Sequence, residues 1–361
     1  MKAAVISLGS VSSQMTVAAM RKYFERVDSL SLKEIEVMVG RESGIFCAGE
    51  PLLEYDCVLV KGSFRYANLL CSISTMLEGR VAYLPLSSNS FSAVHNKLLT
   101  HLVLQKSHLP MPKTYIPATA QAAKRLLKEV NYPVVLKFPE GTQGKGVMFA
   151  ESYSSASSFL DALGLLHQPF IIQEYIETQG TDIRAFVVGD RVVAAMQRKS
   201  ARNEQRANIH QGGIGRSVTL SMPAQRIAVK TAQALGADIC GVDLLLSPLG
   251  PLVLEANLSP GIQGITKATG VNVADEIARF LAKRTKEELK LKGRRNTKRL
   301  TTEKNMTSAG GGEIVSTLLF RGDRIVLPDF VTPLCGFREG EEYKIKVNKG
   351  KLVIESAKKL V

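Results

Sequence analysis

Residues 241–261 read GVDLLLSPLGPLVLEANLSPG, and residues 137–147 read KFPEGTQGKGV. In the first stretch two apolar runs flank Ser247-Pro248-Leu249-Gly250-Pro251, whose glycine and prolines are turn residues. The pattern predicts a hairpin that folds GVDLLL back beside LVLEAN and brings Asp243 close to Glu255. Residues two apart in a strand share a face, so Glu255 and Asn257 project together. Two carboxylates and an amide oxygen are hard oxygen ligands of the kind Mg²⁺ takes, with water and substrate phosphates completing its shell. The alternative is a half-buried hairpin whose acids face water.

In the second stretch VVLKF precedes and VMFA follows the glycines Gly141, Gly144 and Gly146, which predicts a loop at a hairpin tip. No GK[ST] opens a helix, so this is not a Walker A loop. The strand-turn-helix setting of a dinucleotide fingerprint is also missing. Backbone N–H groups of a glycine loop can wrap phosphates closely, and Lys137 adds a fixed positive charge from the strand. An ordinary flexible turn is the alternative.

At 361 residues, with 45% hydrophobic content, the chain has room for two to four domains and their cores. Its five cysteines form no CxxC pair, which fits a reduced, cytoplasmic protein better than a disulfide framework. MKAAVISLGS is too short for a membrane span and leads into a polar helix, so it reads as a first strand and not a signal peptide. KAAVISLG, the helical run SQMTVAAMRKYFERV and the strand DCVLVKG together predict a βαβ unit, with Val17, Met20, Tyr23 and Phe24 on one helix face. Gly9 and Gly62 follow strands at the carboxyl edge, where open sheets bind ligands; they are equally readable as simple turns. FSAVHNKLLTHLVLQKSHLP predicts one helix ending before Pro110, followed by a helix over 119–129 and a strand over 134–138.

The order of these residues resembles the ATP-grasp ligases, and among them the RimK-type group that adds amino acids to carboxylates. The run extends from HNKLLT (95–100) through VVLKFPEGTQGKGV, QEYIETQGTDIR, RANIHQGG and CGVDLLL to LVLEANLSPGIQGI, within a resemblance over roughly residues 1–285. The pair QEYIETQGTDIR and RANIHQGG is specific to this group. The resemblance implies an α/β and α+β fold: a pre-ATP-grasp parallel-sheet domain over 1–89, then a two-lobed ATP-grasp domain over 90–285. The lobes fall at about 90–168 and 169–285, with IIQEYIE (171–177) as the hinge. It implies ATP and Mg²⁺ or Mn²⁺, two ions, as cofactors. It also implies a nucleotide-binding role for Lys97, which alone would read as a surface lysine, and for Glu174, Tyr175 and Asp182. Arg206-Ala207-Asn208 matches the RxN that touches the phosphates, with Lys137 and Gly144 completing the cradle.

Arg184, Arg198, Lys199, Arg202 and Arg206 form a cation cluster. Phosphoryl transfer needs positive charge over the moving group, and arginine's fork suits a carboxylate substrate, so Arg184 and Arg198 are candidates for holding the acceptor. Asp182 and Arg184 share a strand face and could instead form an intrastrand salt bridge. Arg202 reads as part of a solvated basic loop, and His210 as a structural hydrogen-bonder. The resulting expectation is a carboxylate–amine ligase that forms an acyl phosphate, with Arg206 and Lys137 at the transferring group. The added amino acid would be L-glutamate, and the acceptor a protein terminus, a carrier protein or a coenzyme.

Residues 283–304 hold 10 Lys or Arg against 3 Glu, half of the chain's formal charge of +14, and NMTSAGGG follows. This reads as a basic linker over 286–310. Residues 311–361, with GDRIVLP, GFREGEEY and the KIKV/KLVIE pair about Asn348-Lys349-Gly350, resemble the swapped-hairpin AbrB/MazE-type fold. That resemblance implies a homo-oligomer and leaves nucleic acid as a partner through the tail. A nucleotide-responsive DNA-binding regulator is therefore the alternative to the ligase. No membrane partner is expected.

Overall fold

Lys2–Ser7 (β1), KAAVIS, carries four consecutive fully buried residues, the signature of a strand covered on both faces. The computed structural model describes residues 1–361 apart from 42, 140–145, 166–168, 200–213, 308–318, 322–323, 328–330, 332–334, 339, 349–350 and 358–361. It divides into two units, Met1–Arg295 and Asn296–Val361.

In the first unit β1 leads into Val11–Met20 (α1), capped by the Ser10 hydroxyl, and then into Arg26–Ser31 (β2). The helix stops earlier than the apolar spacing predicts, and Tyr23 and Phe24 lie beyond it; Val17, Met20 and Phe24 are nevertheless buried together in the core. A small antiparallel sheet follows, made of Ile35–Met38 (β3), Gly44–Cys47 (β4) and Glu50–Pro51 (β5). Cys57–Val60 (β6) then returns to lie beside β1, giving a parallel sheet in the order β2-β1-β6. Ala67–Leu77 (α2) buries Leu70, Ile73 and Leu77.

The single helix expected after residue 90 is two, Ser88–His95 (α3) and Lys97–Lys106 (α4). Asn96 breaks it. Its extended backbone and its Oδ1, which accepts from the N–H of Leu98 at 2.9 Å, make it the N-cap of α4.

Thr114–Tyr115 (β7), Ala120–Leu126 (α5), Val134–Lys137 (β8), Val147–Ala150 (β9), Tyr153–Leu165 (α6) and Ile171–Glu174 (β10) build a four-stranded sheet in the order β7-β10-β8-β9. It has its own core around Leu127, Leu136, Leu160 and Ile172. The strand read as the hinge, β10, belongs to this sheet, and the chain crosses to the next one between Glu174 and Thr181.

That next sheet is antiparallel and five-stranded, in the order β13-β12-β11-β14-β15. Its strands are Thr181–Val188 (β11), Arg191–Lys199 (β12), Ile214–Ser217 (β13), Ile239–Ser247 (β14) and Gly250–Asn257 (β15). Met222–Ala234 (α7) packs on it through a stripe of Ala224, Ala228, Thr231 and Ala232, small residues that allow close approach. Gln263–Thr269 (α8) follows. One continuous core joins this sheet, α3, α4 and the parallel sheet.

The basic run is helical, not irregular: Val273–Thr307 (α9) passes through it. Lys, Arg, Glu and Leu are good helix formers, and no proline interrupts them. In the second unit Leu319–Arg321 (β16) pairs with Arg324–Val326 (β17), and Tyr343–Asn348 (β18) with Lys351–Ser356 (β19). Among the described residues no helix is long and apolar enough to cross a membrane. Replacing the helix-breaking cap, Asn96→Ala, is expected to lower the unfolding free energy by about 1 kcal/mol in urea titrations.

Candidate active site

The β14–β15 hairpin pairs Asp243 directly with Glu255 and Gly241 with Asn257, as the turn sequence predicts. The register shifts after Asp243, a bulge of the kind that re-aims side chains beside functional sites. On the other side of β14, Asp243 faces Arg184 of β11, and Asp182 of β11 faces Arg198 of β12. One face of the sheet thus carries two carboxylates and two guanidinium groups.

Asp182 and Arg184 do not pair with each other, in contrast to the intrastrand alternative. Each takes a partner on the neighbouring strand, where cross-strand side chains stand closest. Arg184 grips Asp243 through Nε and Nη2 at 2.7 and 2.6 Å. Arg198 grips Asp182 at 2.6 and 2.7 Å and also reaches Asp243 at 2.9 Å. Asp182, Arg198 and Asp243 are all buried. Burial pushes Asp243 upward, but Arg184 and Arg198 together outweigh it and hold the carboxyl below its usual range. Asp182 is pushed up to about 6 by burial and by the charge of Asp243, against the pull of Arg198.

Glu255 makes no hydrogen bond or ion pair among the described residues. The Asn257 Nδ2 is fully buried without a partner among them. A half-turn of that amide would present Oδ1 at the same place, a hard donor for a cation. No group of three or more His, Cys, Asp or Glu side chains gathers among the described residues. Glu255 and Asn257 have the donor chemistry for a divalent ion whose remaining ligands come from water and phosphate oxygens, the usual case for Mg²⁺, while both oxygens of Asp243 already accept from arginines.

On the other lobe Lys137, at the end of β8, donates to Gln173 Oε1 at 2.6 Å. Gln173 Nε2 donates to Thr114 Oγ1 at 2.9 Å and lies 3.0 Å from His101 Nε2. His101 Nδ1 lies 2.6 Å from the Lys97 carbonyl. A carbonyl can only accept, so Nδ1 carries the proton and Nε2 accepts from Gln173. That fixes the amide with its oxygen toward Lys137. Burial lowers the His101 pKa, which suits this neutral ring. Sequence reasoning missed both residues. Gln173, a polar residue amid apolar β10 neighbours, was the available signal; His101 left none.

Burial brings Lys137 down to about 8, while Glu255 raises it and Lys97 lowers it further. Lys137 is thus within electrostatic reach of both Lys97 and Glu255, which come from two other elements. Lys97 opens α4, and its N–H donates to the carbonyl of Pro139, two residues after Lys137, at 3.0 Å. Gly146 ends that loop at φ +76°, and a Cβ there would stand 2.2 Å from the Phe138 ring, so only glycine fits. The Glu174 carboxylate accepts from the Lys113 N–H at 2.7 Å, and the Tyr175 ring meets Phe149 edge-on at 4.9 Å. Gly144, Arg206, Ala207 and Asn208 lie outside the described residues, as do Arg202 and His210.

Residues 94–281 match the model of the RimK-like ATP-grasp domain. The chain belongs to the RimK-like ATP-grasp family. A probable alpha-L-glutamate ligase of Legionella pneumophila (strain Paris) is 39% identical over 240 residues, covering 66% of this chain and 80% of the relative. One of Cellvibrio japonicus is 37% identical over 244 residues, covering 67% and 81%. Among solved structures, a RimK domain ATP-grasp protein from Sphaerobacter thermophilus superposes with a TM-score of 0.60 at 18% identity, covering 78% of this chain and 99% of the other. The ATP-grasp ligase PsnB, in complex with a phosphomimetic variant of its minimal precursor, Mg and ADP, gives 0.63 at 16% identity, covering 79% and 98%. These likenesses establish the ATP-grasp fold expected from the sequence. None of them shows an AbrB/MazE-like domain.

Removing one member of a buried ion pair strands the other. Asp182→Ala is expected to cost about 3 kcal/mol in urea unfolding, and Asp182→Ala with Arg198→Met to recover more than half of that.

Proposed function

We propose that this RimK-like enzyme activates a substrate carboxylate with ATP as an acyl phosphate and joins the amino group of L-glutamate to it. The observation that carries the reading is the charge interaction of Lys137 with Glu255, which come from two sheets, beside an Asp243–Arg184 fork. The relatives named as probable alpha-L-glutamate ligases support the amino acid, and the precursor-bound PsnB structure supports a peptide acceptor. A protein terminus, a carrier protein or a coenzyme each offers the required carboxylate.

ATP and Mg²⁺ are the cofactors; Mn²⁺ as a substitute and a count of two ions belong to the proposal. Asp243, Glu255 and Asn257 would hold the metal, which when bound neutralises phosphate charge. Lys137, pinned by Gln173, and Lys97 at the start of α4 would fix the phosphates from the other side. Arg206, Ala207 and Asn208 are assigned the same task, with Gly144 contributing backbone N–H groups. Tyr175 and Phe149 offer an aromatic wall for the base, and the Glu174 side chain, held by Lys113, sets the backbone beside it. Asp182 would reach the nucleotide only through the buried sheet face it shares with Arg198. Arg184, whose Nε and Nη2 hold Asp243, is assigned to the acceptor carboxylate with Arg198.

The substrate carboxylate oxygen attacks the γ-phosphorus, and ADP leaves with the bonding pair. The amine nitrogen then attacks the acyl carbon, inorganic phosphate leaves, and the ammonium formed sheds a proton. No protein nucleophile takes part, so catalysis is positioning and charge stabilisation. The five free cysteines support a cytoplasmic setting. The AbrB/MazE-like reading of the tail, with self-association, remains a proposal; apolar Ile345, Val347 and Leu352 exposed on β18 and β19 favour it. No comparison supports the DNA-binding alternative.

With L-glutamate and a glutamate-ended peptide, the chain is expected to release ADP and phosphate, and hydroxylamine to trap the activated acid as a hydroxamate. Folded Glu255→Gln is expected to do neither. Pyrophosphate release would mean adenylation and defeat the acyl-phosphate mechanism.

Lys137 supplies a second test. With its pKa near 8 the free amine is largely neutral at roughly pH 8.5, and an anionic phosphate beside it favours the charged form. Calorimetry in buffers of differing ionisation enthalpy is expected to show proton uptake on ADP binding at that pH. The uptake fades towards pH 7, where the amine is already charged, and its Lys137-dependent part vanishes in Lys137→Met.

A further inference from the structure

The parallel sheet has its own reversal point. From β1 the chain goes through α1 to β2 on one side, and later places β6 on the other side of β1. In open parallel sheets the connections diverge at such a point and leave a crevice at the carboxyl ends of the two strands, where ligands bind. Lys61 stands there. It follows Val60 at the end of β6, and its N–H donates to Ile6 of β1 at 2.8 Å.

Lys61 is 8% exposed, and its side chain makes no hydrogen bond or ion pair among the described residues. Burial alone brings its pKa down to about 8; no nearby acid offsets it. An unpaired cation in such a place is costly, and a methionine of similar length would fit without that cost.

The surroundings are polar and tied together. The β1–α1 turn presents Ser7, Gly9 and the N-terminus of α1. A single loop bridges this turn and the end of β6: Gly62 N–H donates to Ser259 Oγ at 3.1 Å, and Ile262 N–H to Ser12 Oγ at 3.1 Å. The same loop begins two residues after Asn257. Its Pro260 seats over Gly241, where a Cβ would meet it at 2.9 Å and the Arg184 side chain at 3.8 Å. The crevice is therefore linked, through one loop, to the strand that carries Glu255 and to the arginine that holds Asp243.

We propose that this crevice is a carboxylate-binding subsite in which Lys61 receives a carboxylate of one of the two substrates of the ligation. The inference rests on the ligase reading given above and deepens it. Either the free amino acid or the acceptor supplies the group; both present the same planar anion, which an ammonium and the N–H groups of a helix N-terminus can bind together.

The test is titration calorimetry on the full chain with ADP and Mg²⁺ present, with L-glutamate in one arm and a glutamate-ended peptide in the other. Lys61→Met is expected to weaken one of the two by about tenfold or more, the scale of a hydrogen bond to a charged group. Lys61→Arg is expected to recover part of the loss, and the affinity for ADP to stay unchanged. Lys61→Met is also expected to raise the melting temperature without ligand, because it removes an unpaired buried charge; a structural lysine would do the reverse. Unaltered affinity in both arms, or no binding to wild-type chain in either, overturns the subsite. Failure of the ligase reading shows separately, as absence of ADP release from wild-type enzyme.

Discussion

Two carboxylates and two arginines share one face of the five-stranded sheet, and their charges cancel only as a set. Arg198 serves Asp182 and Asp243 at once, and Arg184 closes the group from the next position on β11. None of the four could be buried by itself, since an isolated ion in the interior is far too costly. The set also depends on register. A slip of one residue on β11 would turn Asp182 and Arg184 to the opposite face and leave Arg198 and Asp243 with only each other. The ion network thus holds β12, β11 and β14 in one alignment, and the β14–β15 ladder sets Glu255 opposite Asp243.

The other lobe fixes its charge by different means. Lys137 is steadied by a neutral amide, and that amide is oriented by a neutral imidazole and a threonine hydroxyl. A carboxylate in place of Gln173 would neutralise Lys137 and remove its use to an anion. An amide positions the ammonium and leaves its charge in place. The two lobes therefore meet with opposite preparation: an unpaired acid, Glu255, on one side, and a held but uncompensated cation on the other. Glu255 already raises the pKa of Lys137, and an incoming phosphate with its metal would complete both.

The features legible in the sequence were those set by local chemistry. Ser247 to Pro251 specified the hairpin, and the alternation in LEAN specified the shared face; both stand in the β14–β15 ladder. Apolar runs bounded by glycine revealed the parallel sheet. What escaped was set by partners distant in the chain. Whether Asp182 bonds Arg184 or Arg198 is decided by strand pairing, not by the DIR triplet. His101 acquires its role only because β10 lies against β8 and near α4, across some seventy residues. The placement of β10 in the first sheet was hidden for the same reason. The break at Asn96 was local and readable in principle, since asparagine is a strong cap, but the apolar spacing on either side masked it.

Three cations of this protein, Arg198 and Lys61 buried and Lys137 half-buried, show how a partner reveals a purpose. Arg198 faces two carboxylates and holds its proton more firmly than usual, so it acts as a permanent strut. Lys137 faces an amide and sits near 8, chargeable but unsatisfied. The Lys61 side chain makes no hydrogen bond or ion pair among the described residues and sits near the same value. Stability alone favours the first arrangement and penalises the other two, because desolvation without compensation is pure cost. Proteins accept such costs where function requires a group poised for something that arrives later. By that reasoning Lys61 and Lys137 would mark two ends of one reaction space. Lys137 stands at the start of the glycine loop proposed to hold the phosphates. Lys61 stands at the edge of the parallel sheet, joined through Ser259 and Pro260 to the strand of Glu255 and Asn257.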